Sequence, residues 1–578
     1  MLLSGNEGVA RGAYEGGCHF ASAYPGTPST EILENIVKHK DVIYCEWSTN
    51  EKVALEVALG ASFAGARALV AMKHVGLNVA ADPFFSLSYI GSTGGIIIVS
   101  ADDPGMHSSQ NEQDNRNYAR AAKVAMLEPS DSQEAKELTR LGFELSEKFD
   151  TPVLLRMTTR LCHSKSIVDL RERKEVPVKG YTKDIKKRLV LPAHARLRHI
   201  FVEERLKKLT RYAEKFEYNR MELKDESIGI ITSGISYQYA KEVMPDASFL
   251  KLSFTYPLPF GLIEEFSKKV KKLYVIEEND PFLETEIKAK GIKVIGKEII
   301  PITNELNPTI IAEAFGKKKR SVVIDKVPAL PPRPPALCPG CPHTPVFYTI
   351  NKLKLSATGD IGCYTLGALP PLNALDTCVE MGASVGNAFG MEKVLGADYH
   401  KKIVAVIGDS TFFHSGITPL IDIVYNKGVT TVIILDNRIT AMTGHQDNPG
   451  TGKTLMGEET YEVKLEDIVK ACGVKNVFVV DPYNLKELKK IIKQEVEREE
   501  PSVIIAKRPC VLLLQRKKQV WNPYYVNKEE CIGCKLCLGL GCPAISMKDG
   551  KAEINKFFCV GCGVCVQICP KDGAIVQK

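Results

Sequence analysis

IVAVIGDSTFF, residues 403–413, begins as an unbroken apolar run and ends on Gly-Asp before two aromatics. A short run of this kind, rich in β-branched residues and closed by turn residues, reads as a strand buried on both faces. TVIILDNRIT, residues 431–440, repeats the pattern and closes on Asp-Asn, placing Asn437 28 residues after Asp409. Ligands of open α/β sheets gather beyond the carboxyl ends of the strands. Asp409 and Asn437 can therefore meet at one site as hard oxygen ligands of Mg²⁺, whose shell is completed by phosphate and water. Spacing alone leaves a second reading open, two unrelated strand ends, because Gly-Asp is a common pair. Working outward, VFVVD and SVIIA supply two more strands, and Leu485, Leu488, Ile492 and Val496 form the apolar stripe of a crossover helix. Strands alternating with helices predict an α/β fold, a parallel sheet with helices on both faces.

The rest of the chain divides by composition. Residues 1–165 alternate apolar strands with helical stretches; LTRLGFEL places Leu138, Leu141 and Leu145 on one helical face, and Ser130 with Gln133 resembles a capping box ahead of it. Residues 166–225 are polar, basic and weakly patterned, and KDIKKRLVLPAHARLRH (183–199) reads as a solvated connecting face. A second α/β segment, 226–320, carries strands at SIGIITSG and KLYVIEEN, and prolines mark a linker over 321–337. The segment built on residue 403 spans 338–520, and a cysteine-rich tail occupies 521–578.

With 578 residues, roughly three to five domains are expected. A hydrophobic fraction of 44% and a charged fraction of 25% belong to an ordinary globular chain, and a net charge of +7 is too modest to suggest nucleic acid. The longest apolar runs fall far short of a membrane span, and MLLSGNEGVARGAYEGG lacks the apolar core of a signal peptide. A cytoplasmic protein with no membrane segment is expected, where 17 cysteines stay reduced as metal ligands or core residues. PGTGKT (449–454) imitates a phosphate-binding loop, but Asp447 stands where that motif needs glycine.

CVGCGVCVQICP (559–570) matches the bacterial ferredoxin run C-x2-C-x2-C-x3-C-P, and CIGCKLCLGLGCP (531–543) nearly repeats it with one extra residue before its last cysteine. In two-cluster ferredoxins the fourth cysteine of each run serves the other cluster. Cys531, Cys534, Cys537 and Cys569 are then the ligands of one [4Fe-4S] cluster, and Cys542, Cys559, Cys562 and Cys565 those of a second. A pair of zinc sites is the alternative.

GDS…LDNRIT also resembles the thiamine diphosphate signature of 2-oxoacid oxidoreductases, with Ser410 and Asp436 at the two variable positions. The resemblance implies that Asp409, the Asn437 side chain and the Ile439 carbonyl bind Mg²⁺ on thiamine diphosphate. NEKVALEVALGASFAGARALV (50–70) resembles the superfamily's pyrimidine-binding helix, whose glutamate precedes a glycine by nine residues, as Glu51 precedes Gly60. Glu51 is implied as the carboxylate that protonates the aminopyrimidine, with Glu46 and Glu56 as neighbouring competitors. YPGTPS (24–29) resembles the YPITPS opening of the 2-oxoacid:ferredoxin oxidoreductases and puts Thr27 on the substrate carboxylate. Arg116, in QDNRNYAR, is a weaker candidate for the same carboxylate and reads more naturally as a solvated arginine.

CPGCPH (338–343), TGDIGCYT and KRPCVLL carry Cys338, Cys341, Cys363 and Cys510, in the order in which related oxidoreductases hold a cluster beside the thiamine; a third cluster there is implied, with buried structural cysteines as the alternative. Cys18, Cys45, Cys162, Cys378 and Cys472 read as core residues. Over nearly its whole length the chain thus resembles the thiamine diphosphate-dependent 2-oxoacid:ferredoxin oxidoreductases. The implied order is a pyrimidine-binding domain, a transketolase C-terminal-like domain, a diphosphate domain and a two-cluster ferredoxin-like tail. The order matches the α chain of the members that act on aryl 2-oxoacids. The implied partners are a smaller β subunit in an α2β2 assembly, coenzyme A as cosubstrate and ferredoxin as acceptor. The rival readings are oxidation of another 2-oxoacid, a non-oxidative thiamine-dependent decarboxylase, or a pure electron-transfer subunit.

Overall fold

The computed structural model describes residues 1–317, 330, 334–396, 398–516, 519 and 521–577. The chain divides into two compact units, Met1–Asp325 and Lys326–Lys578.

In the first unit, the strands Tyr44–Trp47, Phe20–Ala23, Ala68–Lys73, Ile96–Asp102, Val153–Thr158 and Ala125–Leu127 pair in that order and in parallel. Every residue of Ile96–Asp102 is buried, so its sequence reads as an apolar run and not as an alternation. The helix Ser132–Phe149 covers one face, burying Leu138 and Leu145. Its N-cap is Asp131, whose carboxylate accepts from Glu134 N; Ser130 instead donates its hydroxyl to the Glu134 carboxylate at 2.9 Å, which displaces the expected Ser130–Gln133 box by one position. The helix Gly5–Glu15 lies against it with almost no gap: a Cβ at Gly12 would stand 2.3 Å from the Lys136 carbonyl.

A second sheet of this unit orders Lys272–Ile276, Asp225–Ser233 and Ala247–Leu252 in parallel, with Arg220–Glu222 antiparallel at the edge. The segments expected as separate units, 1–165 and 226–320, share a core. Ile231, Leu250 and Val275 bury in one cluster with Val70, Ile98 and Leu154, and Phe254–Tyr256 pairs antiparallel with Ala125–Leu127. Residues 183–199 are exposed or half-buried, as a solvated face would be. They lead into a 22-residue helix, Pro192–Ala213, that buries Val202, Arg205, Leu209 and Ala213. The periodicity is hard to read because Arg205 occupies a core-facing position, where its guanidinium donates to the Asp150 carbonyl at 2.7 Å. Lys187 and Arg198 both pair with the Asp150 carboxylate.

The second unit is built on a six-stranded parallel sheet, ordered Thr377–Cys378, Ser356–Gly359, Ile403–Gly408, Thr431–Asp436, Ser502–Lys507 and Asn476–Val480. The central strands are buried throughout, and the helix Leu485–Glu495 covers one face with Leu488 and Ile492. The tail adds two antiparallel pairs, Tyr524–Val526 with Ile575–Gln577 and Ile545–Lys548 with Lys551–Ile554. Cys18, Cys45 and Cys162 are buried as core residues, but Cys378 is exposed at the sheet edge and Cys472 is half-buried. The proline-rich linker expected at 321–337 lies outside the described residues except for 330 and 334–337. Among the described residues no helix is long and apolar enough to cross a membrane.

Candidate functional site

In the second unit, Asp409 opens the helical turn that follows Ile403–Gly408, and Asp436 ends the neighbouring strand Thr431–Asp436. Both carboxylates are buried at the carboxyl edge of the sheet. Burial, followed by the charge of Asp436, pushes the Asp409 carboxyl up to about 8; the Ser410 amide at 2.8 Å, the Asn448 side chain and the Arg438 amide oppose this. The next turn is tight: Arg438 takes the left-handed conformation with φ 64°, its amide donating to Asp436 Oδ1 at 3.1 Å. That turn brings Ile439 N within 3.2 Å of Asn437 Oδ1, and a Thr440–Ser410 hydroxyl bond of 2.9 Å ties the two loops together. Asn437 Nδ2 lies 3.3 Å from His343 Nε2, and burial takes that imidazole down to about 4.

Two crowded buried carboxylates beside a side-chain amide fit a divalent cation, whose charge would relieve their repulsion. Asn448 also lies beside the Asp409 carboxylate, where its side-chain amide opposes the upward push of burial. It stands one residue before the rejected PGTGKT, and nothing in its local sequence marked it. Asp360, in TGDIGCYT, follows the strand Ser356–Gly359 as Asp409 follows its own, so the same Gly-Asp signal could have found it. Its carboxyl, raised to about 7 by burial, accepts from Ser384 N at 2.8 Å and from the Ser384 hydroxyl.

Cys338, Cys341, Cys363 and Cys510 come from three loops and meet beside this pocket. The Cys363 thiol is pushed up to about 11 by burial and then by Cys510 and Cys338, and Cys341 is raised in the same way. Cys510 N donates to the Asn437 carbonyl at 2.9 Å, so the cysteine group and the acid–amide turn share a backbone hydrogen bond.

The tail gathers its eight cysteines four and four. Cys531, Cys534, Cys537 and Cys569 line one cavity, while Cys542, Cys559, Cys562 and Cys565 line another, walled on one side by Pro339 and Gly340. In each, the fourth thiol comes from the other cysteine run, the exchange a two-cluster ferredoxin uses. Among the described residues no three His, Cys, Asp or Glu side chains converge as ligands of a single ion would; each tail set surrounds a hollow instead.

In the first unit, Glu51 begins the helix Glu51–Phe63, capped by the Asn50 side chain on Val53 N. Of the three nearby glutamates it is the buried one: Glu56 is exposed and paired with Lys52 at 2.7 Å, and the half-buried Glu46 accepts from Ser48. Its carboxylate is pressed on Gly76, where a Cβ would stand 2.7 Å from Oε1. Gly60, whose register singled out Glu51, has nothing within 4 Å of its Cβ position. Thr27 is half-buried, and its carbonyl accepts from the Ser108 hydroxyl at 3.4 Å.

Arg116 is not a solvated arginine. It is fully buried, salt-bridged to Asp114 and to Glu277 at 2.6 Å, and donates to the carbonyls of Glu278 and Asp280. Asp114 and Glu277 hold it as a tie between the unit's two sheets. Lys73, beside the Thr27 loop, is a cation that sequence reasoning missed. Lys73 stands against Gly26 at the end of Ala68–Lys73, hydrogen-bonded to the Ser108 carbonyl, and burial brings its amine down to about 8 against the pull of Asp103.

Comparison with known proteins gives the class first. Residues 11–221 match the family described as "Pyruvate flavodoxin/ferredoxin oxidoreductase, thiamine diP-bdg", 360–506 match "Thiamine pyrophosphate enzyme, C-terminal TPP binding domain", and 523–570 match "4Fe-4S dicluster domain". The chain is an oxidoreductase with thiamine- and iron–sulfur-binding domains. It is 45% identical to the indolepyruvate oxidoreductase subunit IorA of Archaeoglobus fulgidus, over 99% of this chain and 96% of that protein. The same-named proteins of Methanothermobacter marburgensis and Thermococcus kodakarensis are 44% and 42% identical, covering 100% and 99% of this chain and 97% and 96% of their own lengths. The chain belongs to the family of indolepyruvate oxidoreductase subunit IorA.

Proposed function

We propose that this chain is the catalytic subunit of an enzyme that oxidatively decarboxylates aryl 2-oxoacids, indolepyruvate and phenylpyruvate, with coenzyme A. The products are the aryl-acetyl-CoA, CO2 and reduced ferredoxin. The observation that carries the proposal is the second unit's combination: an acid–amide pocket at a strand edge, with twelve cysteines in three groups of four, one group adjoining that pocket. The choice of substrate rests on the names of the relatives.

Thiamine diphosphate supplies the nucleophilic carbon and the electron sink for decarboxylation. Asp409, Asn437 and the Ile439 carbonyl would hold its Mg²⁺, with the Asn448 side chain supporting Asp409. Glu51, buried on the pyrimidine-binding domain 1–165, would share a proton with the aminopyrimidine ring nitrogen. Thr27, with Lys73 behind it, holds the substrate carboxylate. Cys338, Cys341, Cys363 and Cys510 would hold a cluster placed to take electrons first, and the two tail sets within 521–578 would hold the clusters that pass them on. A smaller partner subunit completes an α2β2 assembly in the cytoplasm.

An anaerobic viologen-reduction assay of the two-subunit enzyme over a panel of 2-oxoacids tests this. Arylpyruvates should give the highest kcat/KM. A clear preference for pyruvate, branched-chain oxoacids or 2-oxoglutarate would replace the substrate assignment.

A further inference from the structure

One loop of the second unit touches two of its cysteine groups. Tyr483, in the turn between Asn476–Val480 and Leu485–Glu495, donates its hydroxyl to the Gly340 carbonyl. Gly340 lies inside CPGC, between Cys338 and Cys341, and also walls the cavity of Cys542, Cys559, Cys562 and Cys565. A Cβ at Gly340 would stand 2.1 Å from Val560, so the CPGC loop and the tail meet there with no spare room. The Tyr483 carbonyl accepts from Gln567 Nε2 at 2.7 Å, and Leu485 N donates to Gln567 Oε1 at 3.1 Å. Gln567 sits between Cys565 and Cys569. The loop is thus bonded on one side to the body cysteines and on the other to the tail.

The Tyr483 ring is itself held. The Arg508 guanidinium stacks over it at 3.8 Å and is fixed by Asp481 at 2.5 Å. Arg508 precedes Cys510 by two residues, which links the stack to a fourth cysteine of the body group. The phenol hydroxyl is a neutral donor, and its hydrogen bond fixes it on the Gly340 carbonyl. A tyrosine that is neutral, stacked and bonded to the backbone of one cysteine loop is a rigid spacer.

We propose that Tyr483 is the positioning residue that fixes the separation, and so the electronic coupling, of the iron–sulfur clusters held by the Cys338 and Cys542 groups. The proposal rests on the reading of both groups as cluster ligands. Tyr483 carries no charge itself. The electron lost by one cluster is gained by the other, and the phenol proton stays where it is.

The test uses anaerobically purified two-subunit enzyme with Tyr483→Phe, Tyr483→Leu and Arg508→Lys. Iron is counted first: about twelve atoms per chain are expected in the parent, four per cluster. Electron paramagnetic resonance of the dithionite-reduced protein then reads the magnetic interaction between neighbouring clusters. Tyr483→Phe keeps the ring and should keep the iron, but with its bond to Gly340 gone it should lose part of the interaction broadening. Arg508→Lys should do the same by losing the planar stack, and Tyr483→Leu should lose most of it. Spectra superimposable on the parent at full iron content would overturn the proposal. A parent holding only about eight iron atoms would overturn the underlying assignment of Cys338, Cys341, Cys363 and Cys510 before any variant is made.

Discussion

At the residue scale, the informative side chains are charged groups buried where water cannot serve them. The Asp409 carboxyl, pushed up to about 8, keeps a proton in the folded chain that the unfolded chain releases near 4. Metal-free protein should therefore lose stability as pH rises from about 4 to 8 and level off above that. The slope from this one group is at most about 1.4 kcal/mol per pH unit. Asp409→Asn should flatten the slope, and Mg²⁺ with thiamine diphosphate should restore the parent at pH 8 but leave the variant unmoved; urea midpoints across this range read both effects. Gly76 gives a second prediction. Its Cβ position is 2.7 Å from both Cγ and Oε1 of the buried Glu51, so an added methyl must displace that side chain. Gly76→Ala should lower kcat about a hundredfold while the purified variant keeps its fold by circular dichroism, because a displacement near an ångström costs that much. Unchanged kcat would mean that Glu51 does not hold the catalytic proton.

At the scale of elements, a terminal cysteine of each run crosses to the other run's cavity. Cys531→Ala and Cys569→Ala should each remove the same cluster, about four iron atoms, and the double variant should remove no more. Cys569→Ala with Cys559→Ala should remove both tail clusters. If the local pattern held instead, Cys569 and Cys559 would be the redundant pair. These spacings could be read directly because ligation by closely spaced thiolates is a local property. The helix Pro192–Ala213 could not be read, because a buried arginine interrupts its apolar stripe. The pairing of Phe254–Tyr256 with Ala125–Leu127 joins strands more than a hundred residues apart, and no local pattern announces such a partner.

At the scale of the molecule, the units are unequal in their means of support. Both large sheets bury extended apolar clusters, while the tail's core is Leu540, Ala552, Val564 and Ile575 packed around its own cysteines. So small a core cannot offset the conformational entropy of some fifty residues without its metal. Chelating the iron under mild oxidation should open amides across 521–577 to rapid hydrogen exchange and leave those of Ile403–Gly408 and Ile96–Asp102 protected. Loss of protection throughout would show that the tail's clusters support more of the chain than their own segment.

The residue sequence by itself determined the buried parallel strands, the acids and amides at their ends, and the two cysteine runs, because each is written in neighbours no more than a few positions apart. It also ranked Glu51 ahead of Glu46 and Glu56, on a register with Gly60 that the packing does not require. Only the tertiary structure decided which charges are spent on the protein itself. Arg116 faces Glu277 from the other sheet of its unit and is consumed there, Lys73 is brought against Gly26, and Asn448 folds back beside Asp409. Burial and long-range pairing depend on chain segments far apart in sequence, and those dependences exist only once the sheets have packed.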